Sequence, residues 1–246
     1  MSAFLVIEGV SKRFRGLVAV DRVSCEVAKA EIFAVIGPNG AGKTTLFNMI
    51  AGALRPDEGT VTYCGERIDG LHPDAICRRG IARTFQIVRP FPALTVEDNV
   101  MIGALLRTSD VARAARNAAE VMRRLDLFDK RARLAKSLTL PDRKRLEVAR
   151  ALATAPQLLM LDEVMAGLRP TETDRMVAIL REINAQGMTI LLIEHVMRAV
   201  MALADRVLVL HHGAPIALGV PQAVTREPAV IESYLGADAL FGAEAL

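Results

Sequence analysis

The most informative stretch of the sequence is Gly37-Pro38-Asn39-Gly40-Ala41-Gly42-Lys43-Thr44-Thr45. It has the spacing of a phosphate-binding loop: a glycine, four residues, a second glycine, a lysine, and then serine or threonine. The glycines let the backbone curl around an anion, so that consecutive N–H groups point inward. Lys43 adds a positive charge for the β- and γ-phosphates, and Thr44 offers a hydroxyl to Mg²⁺. The stretch therefore predicts a nucleotide phosphate site.

The residues on either side of this loop fit the same interpretation. Residues 31–36 read as a buried strand, and 45–50 as the helix whose N-terminus receives the phosphate. Further apolar runs at 158–161, 189–193 and 206–210 alternate with helical patterns, and this alternation predicts parallel strands.

Other segments complete the outline of the fold. The start of the chain is β-rich, with strands predicted over 4–8, 24–27 and 59–63, and 81–85 reads as another short strand. From 95 to 153 the pattern turns helical. In the later part of the chain, a helix is predicted over about 172–185. We expect Thr171 to cap this helix and Gly187 to end it. The chain therefore reads as a nucleotide-binding core interrupted by a helical block.

Composition narrows the class of protein. The 246 residues are 52% hydrophobic, which suits one large or two small globular domains. The richest apolar stretch, 189–210, is interrupted by Glu194 and other charged residues, so no membrane span is expected. Residues 1–10 lack a basic start and a long apolar run, so no signal peptide is expected. The cysteines Cys25, Cys64 and Cys77 form no CxxC pair, as in a cytosolic protein with reduced thiols.

Charge is unevenly placed along the chain. The net charge is only +3, but residues 78–150 hold 17 Lys and Arg against 8 Asp and Glu. Such a segment suits nucleic acid, anionic lipid headgroups, an acidic partner, or a merely solvated helical face. Nucleic acid is disfavoured because stacking platforms need aromatic residues, and this chain has no tryptophan and few aromatics.

Two carboxylates, Asp162 and Glu163, follow the apolar run at 158–161. A buried strand would deliver both at its carboxyl end, the edge where α/β sheets place their sites. There Asp162 would hold Mg²⁺ through water, and Glu163 would orient or deprotonate an attacking water. A solvated strand end is the simpler alternative, but the position downstream of a phosphate loop favours catalysis.

Three further side chains are candidates for the same site. His195 follows the run at 189–193, so a neighbouring strand end would bring it near the γ-phosphate. Gln86 ends the strand predicted over 81–85, where an amide can ligate Mg²⁺ or water. Phe14 lies in the β-rich start and is placed to stack on adenine. Each has a structural alternative: a structural histidine, a surface glutamine and a core phenylalanine.

The order of these motifs resembles that of the nucleotide-binding subunit of ABC transporters, over essentially the whole chain. One branch is more similar, the ATPase of high-affinity branched-chain amino-acid importers. Four stretches carry this closer resemblance: Phe14-Arg15-Gly16-Leu17-Val18-Ala19-Val20, Gly80-Ile81-Ala82-Arg83-Thr84-Phe85-Gln86, Phe91-Pro92-Ala93-Leu94-Thr95-Val96-Glu97-Asp98-Asn99-Val100 and Val230-Ile231-Glu232-Ser233-Tyr234-Leu235-Gly236. Importers for urea or aromatic acids are similar too, so the branch is better defined than the solute.

The resemblance implies an α/β fold. It consists of a P-loop (RecA-like) nucleotide-binding core, an N-terminal antiparallel β subdomain and an inserted α-helical subdomain. The implied single ABC ATPase domain spans 1–246. Within it, 1–86 and 156–246 form the core with the β subdomain, and 87–155 form the helical insertion that carries the signature loop.

The resemblance also implies a role for each candidate, with ATP and Mg²⁺ as cofactors. Phe14 would stack on the base, and the loop 37–45 would bind the phosphates. Glu163 would be the catalytic base, and His195 would contact the γ-phosphate. Three positions would serve Mg²⁺: Thr44, Gln86 and Asp162.

Two loops depart from the family's pattern. The signature loop, usually Leu-Ser-Gly-Gly-Gln, reads Leu138-Thr139-Leu140-Pro141-Asp142. Thr139 keeps a hydroxyl for nucleotide, but Leu140 and Pro141 replace the glycines, and Pro141 has no N–H to give a γ-phosphate. The loop after Glu163, usually ending in Asp or Asn, reads Ala166-Gly167-Leu168-Arg169. Both loops would face the partner in this family's head-to-tail dimer, so the residues lent across the interface are altered.

The partners implied by the resemblance are two transmembrane permease subunits and a second ATPase, or a second copy of this chain. A periplasmic solute-binding protein would act indirectly, and no nucleic acid is expected. The chain would lie peripherally on the cytoplasmic face of the inner membrane. Three alternatives belong to other classes: a soluble ABC-type ATPase of DNA repair or translation, a non-hydrolysing regulator, and a GTPase. The GTPase is disfavoured because no Asn-Lys-x-Asp motif is present.

Overall fold

The computed structural model describes residues 3–84 and 90–239. The predicted position Gln86 lies outside the described residues. The strands, in chain order, are β1 Leu5–Phe14, β2 Leu17–Val27, β3 Ile32–Ile36, β4 Glu58–Tyr63, β5 Glu66–Arg67, β6 Ile81–Arg83, β7 Leu158–Asp162, β8 Thr189–Ile193, β9 Arg206–His211 and β10 Ala214–Gly219.

Within the described residues these strands form two sheets. The smaller one is antiparallel, with the order β2-β1-β4-β5. The larger one has the order β10-β9-β3-β8-β7-β6, and its strands are parallel except for β10, which runs antiparallel to β9. Strands β3, β7 and β8 are buried at every residue, because both faces of a mostly parallel sheet are covered.

The helices connect these strands. In chain order they are α1 Lys43–Ile50, α2 Pro73–Arg78, α3 Val96–Ala104, α4 Val111–Arg124, α5 Leu140–Ala153, α6 Pro170–Ala185, α7 Met197–Leu203, α8 Pro221–Val224 and α9 Pro228–Ala239. None of the helices in the described ranges has the length and apolar character that a bilayer span requires.

The helical block of α3, α4 and α5 is inserted between two neighbouring strands. Strands β6 and β7 pair directly, Ile81 with Leu158, although the whole block lies between them in sequence. Helices α3 and α5 approach closely at Gly103, where an added Cβ would lie 2.5 Å from the carbonyl oxygen of Arg150. The observed architecture thus agrees with the predicted core, antiparallel β subdomain and helical insertion. The exact domain boundaries stay a prediction.

The large sheet separates two apolar cores. Alternate residues of β3 point to opposite faces, as the two-residue period of a strand requires. Ile32, Ala34 and Ile36 pack with the helical block and α6, whereas Phe33 and Val35 pack with α1 and the antiparallel sheet. The phosphate loop follows β3 directly, so both cores support it.

The structure corrects several predicted boundaries. Strand β8 has the predicted bounds, whereas β3 begins at Ile32, one residue later than predicted, and β6 ends at Arg83 instead of continuing to 85. Thr171 does not cap α6, because the helix begins earlier than predicted, at Pro170. Proline suits the first helical position, so the N-cap residue is Arg169. Gly187 does follow the end of this helix, with φ +94°. Strand β10 was not predicted.

Candidate functional site

The phosphate loop runs between two strands that lie too close to tolerate side chains on it. Gly37 has φ +144°, and an added Cβ would lie 2.1 Å from the carbonyl oxygen of Leu210 in β9. Gly42 has φ +98°, and its Cβ would lie 2.3 Å from the carbonyl oxygen of Ala19 in β2. Each position combines a positive φ with a backbone contact, so glycine alone fits without strain.

Lys43 begins α1 and folds back over the loop. Its Nζ donates to the carbonyl oxygens of Gly37 at 2.7 Å and Pro38 at 2.9 Å. Burial lowers the pKa of the ammonium, and the nearby carboxylates of Glu163 and Asp162 oppose that fall. A buried cation at a helix N-terminus, beside inward-facing backbone N–H groups, is suited to bind a phosphate.

A cleft of about 700 Å³ opens over the loop. It brings together residues from the two sheets, α1 and the end of β7, namely Phe14, Leu17, Val18, Ala19, Asn39, Gly40, Ala41, Gly42, Lys43, Thr44, Thr45, Glu163 and His212. Phe14 is 43% exposed at the end of β1, so it is not a core phenylalanine. The cleft therefore joins an exposed aromatic ring, the phosphate loop and Glu163 in one space.

Asp162 ends β7 and is completely buried. Its Oδ2 accepts from Arg83 Nη2 at 2.9 Å, and its backbone N–H donates to Thr84 Oγ1 at 3.0 Å. Burial raises the pKa of the carboxyl, and Arg83 opposes that rise. Among the described residues its Oδ1 has no hydrogen-bond partner. A buried carboxylate with an oxygen to spare, together with the Thr44 hydroxyl in the cleft, fits the oxygen ligands that Mg²⁺ requires.

Glu163 follows at the edge of the sheet with a left-handed backbone, φ +49°. Its N–H donates to the carbonyl oxygen of Ile193 at 3.0 Å, and its own carbonyl accepts from Lys144 Nζ at 2.8 Å. His195, just beyond β8, places Nδ1 3.9 Å from Glu163 Oε1. The predicted pair of carboxylate and imidazole is therefore brought together above the phosphate loop.

Three charged residues of this site had no role in the sequence interpretation: Arg83, Lys144 and Glu194. Glu194 is 1% exposed, and its Oε1 accepts from the backbone N–H of Met165 at 2.9 Å. Burial raises the pKa of its carboxyl to about 7. In the sequence, the only signal for Glu194 is an acidic residue beside His195 at the end of an apolar run, which by itself indicates only an interruption of that run.

Thr139 lies elsewhere, at the start of α5, and among the described residues it does not line the cleft. Its hydroxyl donates to Asp142 Oδ2 at 2.9 Å and also caps the helix. Lys130 and Arg145 bind the same carboxylate, so Asp142 is buried and fully engaged. Leu140 is 40% exposed beside it. The loop thus presents an apolar side chain where the family pattern has glycine.

Comparison with known proteins adds a family to this geometry. The family model that matches is that of the ABC transporter, over residues 20–166. LivG of Salmonella typhimurium, a high-affinity branched-chain amino acid transport ATP-binding protein, is 42% identical over 250 residues, covering 94% of this chain and 97% of LivG. BraF of Pseudomonas aeruginosa, of the same description, is 38% identical with the same coverages. The ADP conformation of MJ1267, an ATP-binding cassette of an ABC transporter, has a TM-score of 0.88 at 32% identity, covering 96% of this chain and 100% of that one.

We expect Glu194→Gln to flatten the pH dependence of stability between about pH 4.5 and 7. The buried carboxyl keeps its proton up to a pKa of about 7, whereas in the unfolded chain it loses the proton near its ordinary pKa of 4.5. The stability that this proton provides is complete below about pH 4.5 and is lost as the pH rises through 7, by on the order of 3 kcal/mol. Urea denaturation at several pH values measures the change.

The control for this prediction is Glu182→Gln, which removes an exposed carboxyl on α6. The control should keep the wild-type pH profile. An unchanged profile in Glu194→Gln would show that Glu194 titrates normally in the folded protein.

Proposed function

Because the chain belongs to the ABC transporter family, we propose that it is the ATPase of an importer, and that it hydrolyses ATP to drive uptake of a branched-chain amino acid. One observation carries the catalytic part: a single cleft holds the phosphate loop, Lys43 and Glu163, with His195 3.9 Å from that carboxylate. The solute is inferred from the two named relatives that transport branched-chain amino acids.

The nucleotide would lie along the cleft. Its base would stack on the exposed ring of Phe14, and its phosphates would occupy the loop 37–45 against the N-terminus of α1. The Lys43 ammonium would leave the carbonyls of Gly37 and Pro38, which it now contacts, to bind the β- and γ-phosphates. The cost of burying this charge is then offset by the polyanion.

Thr44 and Asp162 would hold Mg²⁺, together with Gln86. When bound, the ion neutralises charge on the phosphates. Glu163 would accept a proton from the attacking water, and its held backbone would aim the carboxylate across the loop. His195, at the end of the neighbouring strand, would contact the γ-phosphate and orient Glu163.

The transporter would be assembled from several chains. In a head-to-tail dimer, each nucleotide would lie between one chain's phosphate loop and the other chain's signature loop. The basic helical block would dock on two membrane permeases at the cytoplasmic face, which makes the attachment peripheral. A periplasmic solute-binding protein would deliver the solute to the permeases.

The altered signature loop argues for a heterodimer. Pro141 has no N–H, and the exposed Leu140 packs towards Gly167, whose added Cβ would lie 3.3 Å from Leu140 Cδ2. Two copies of this chain would weaken both sites. A second ATPase with intact signature glycines would keep one strong site, built on this chain's Lys43, Asp162 and Glu163.

The direct test is uptake into proteoliposomes that contain this chain, its permeases, a second ATPase and the binding protein. Radiolabelled leucine should enter only with ATP inside. Glu163→Gln keeps the shape of the side chain and removes the base, so ATP turnover should fall by about 10²–10⁴ while ATP still binds. Uptake of urea or an aromatic acid in place of leucine would redirect the solute. Near-normal turnover by the variant would overturn the role of Glu163.

The heterodimer makes a second prediction about the same substitution. In the assembled pair, Glu163→Gln here should lower ATP turnover more than the matching change in the partner, because only this chain's site would face an intact signature loop. A missing donor to phosphate costs on the order of 1.5–3 kcal/mol, roughly a tenfold to hundredfold effect. Steady-state ATPase assays on the two single variants measure it, and equal effects would mean that the altered loop works.

A further inference from the structure

The backbone that carries Glu163 is held from two sides by buried side chains. Glu163 has a left-handed φ of +49°, a conformation that is unfavourable for a non-glycine residue and persists where neighbours enforce it. Its N–H is held by β8 through the carbonyl of Ile193. Two further backbone groups, the Glu163 carbonyl and the Met165 N–H, are each hydrogen-bonded by the side chain of an ionisable residue.

The first of these side chains is Lys144 on α5. It is 6% exposed, and its Nζ donates to the Glu163 carbonyl oxygen at 2.8 Å. Burial lowers the pKa of this ammonium. Nearby carboxylates oppose that fall, and Glu194 has the largest effect among them. Burying a lysine ammonium against a backbone carbonyl is unfavourable because the charge loses its hydration, so nearby carboxylates must stabilise it.

The second side chain is Glu194, at the end of β8 and next to His195. Its Oε1 accepts from the Met165 N–H at 2.9 Å, and in the described part of the chain its Oε2 has no hydrogen-bond partner. Lys144 from α5 and Glu194 from the end of β8 therefore both hydrogen-bond to the backbone of residues 163–165. Above the Glu194 pKa of about 7, its carboxylate and the Lys144 ammonium are opposite charges in the same buried region, and each favours the charged form of the other.

Helix α5 connects the Lys144 hydrogen bond to the altered signature loop. Leu140 starts the helix, and Lys144 lies four residues further, one turn along the same face. Any displacement of the start of α5 would therefore move the Lys144 ammonium and, through it, the backbone of the catalytic carboxylate.

We propose that Lys144 and Glu194 are positioning residues that hold the backbone of Glu163 in its catalytic orientation and transmit the position of the signature helix to it. This inference rests on the proposed ATPase function. The two residues touch neither nucleotide nor water in this scheme. They act through Glu163, so their loss should lower kcat and leave nucleotide affinity unchanged.

The test compares variants in the assembled, ATP-hydrolysing complex. Lys144→Met removes the charge and keeps the length of the side chain, and we expect kcat to fall by about tenfold or more with the dissociation constant for ATP within about twofold. Lys144→Arg should recover part of the activity, because a guanidinium can donate to the same carbonyl. Lys29→Met, which removes an exposed charge in the turn between β2 and β3, is the control and should behave as wild type.

A double variant separates positioning from stability. At pH 8, above the Glu194 pKa of about 7, Lys144→Met removes the ammonium that favours the buried Glu194 carboxylate and should lower Tm. Adding Glu194→Gln should restore Tm but not kcat, since the Glu163 carbonyl still lacks its donor. Wild-type kcat in Lys144→Met, or recovery of both quantities in the double variant, would overturn the inference. Absence of ATPase activity in the wild-type complex would instead count against the proposed function.

Discussion

The arrangement of the site depends on the close approach of the phosphate-loop backbone to strands β9 and β2. A Cβ added at Gly37 would collide with the carbonyl of Leu210 in β9, and one added at Gly42 would collide with the carbonyl of Ala19 in β2. The turn after β9 is tied to the same loop, since Gly213 donates its N–H to the carbonyl of Ala41 at 3.1 Å. The parallel sheet and the antiparallel sheet thus meet on one short backbone segment. A side chain at either glycine would force them apart.

This close packing fixes the position of the phosphate loop relative to the other groups of the site. Parallel strands deliver Asp162, Glu163 and His195 at one edge of the sheet, opposite the loop. Arg83 binds Asp162 at 2.9 Å, and the Lys43 ammonium, which contacts the carbonyls of Gly37 and Pro38, lies near both carboxylates. Cations and carboxylates are arranged with little room to rearrange, which is how an enzyme favours a highly charged transition state.

Much of this could be predicted from the sequence, for identifiable reasons. The phosphate loop has a fixed spacing because few residue types fit its backbone. Strands such as β8 are short continuous apolar runs, and the order of strands and helices then fixes which ends share an edge. Strand β10 was missed because its residues alternate little between buried and exposed and include Pro215, which does not read as a strand.

The remaining features depend on contacts that leave no pattern in residue type. Lys144 binds a backbone carbonyl, an acceptor that every residue possesses, so nothing near Glu163 marks the partner. Glu194 reads as an interruption of an apolar run until the fold places it beside the Met165 amide. Thr139 keeps the hydroxyl of the signature loop, but Asp142 engages it locally. Tertiary distance, rather than local propensity, decides each case.

If this loop binds the phosphates of ATP through Lys43, isothermal titration calorimetry will show it. The purified chain is titrated with ATP in the presence of Mg²⁺, alongside Lys43→Ala and the surface control Lys136→Ala. We expect one ATP per chain for wild type and for the control, and an affinity weaker by about tenfold or more for Lys43→Ala. Equal binding by wild type and Lys43→Ala, or no ATP binding by wild type, would show that Lys43 and the loop do not bind the nucleotide in this way.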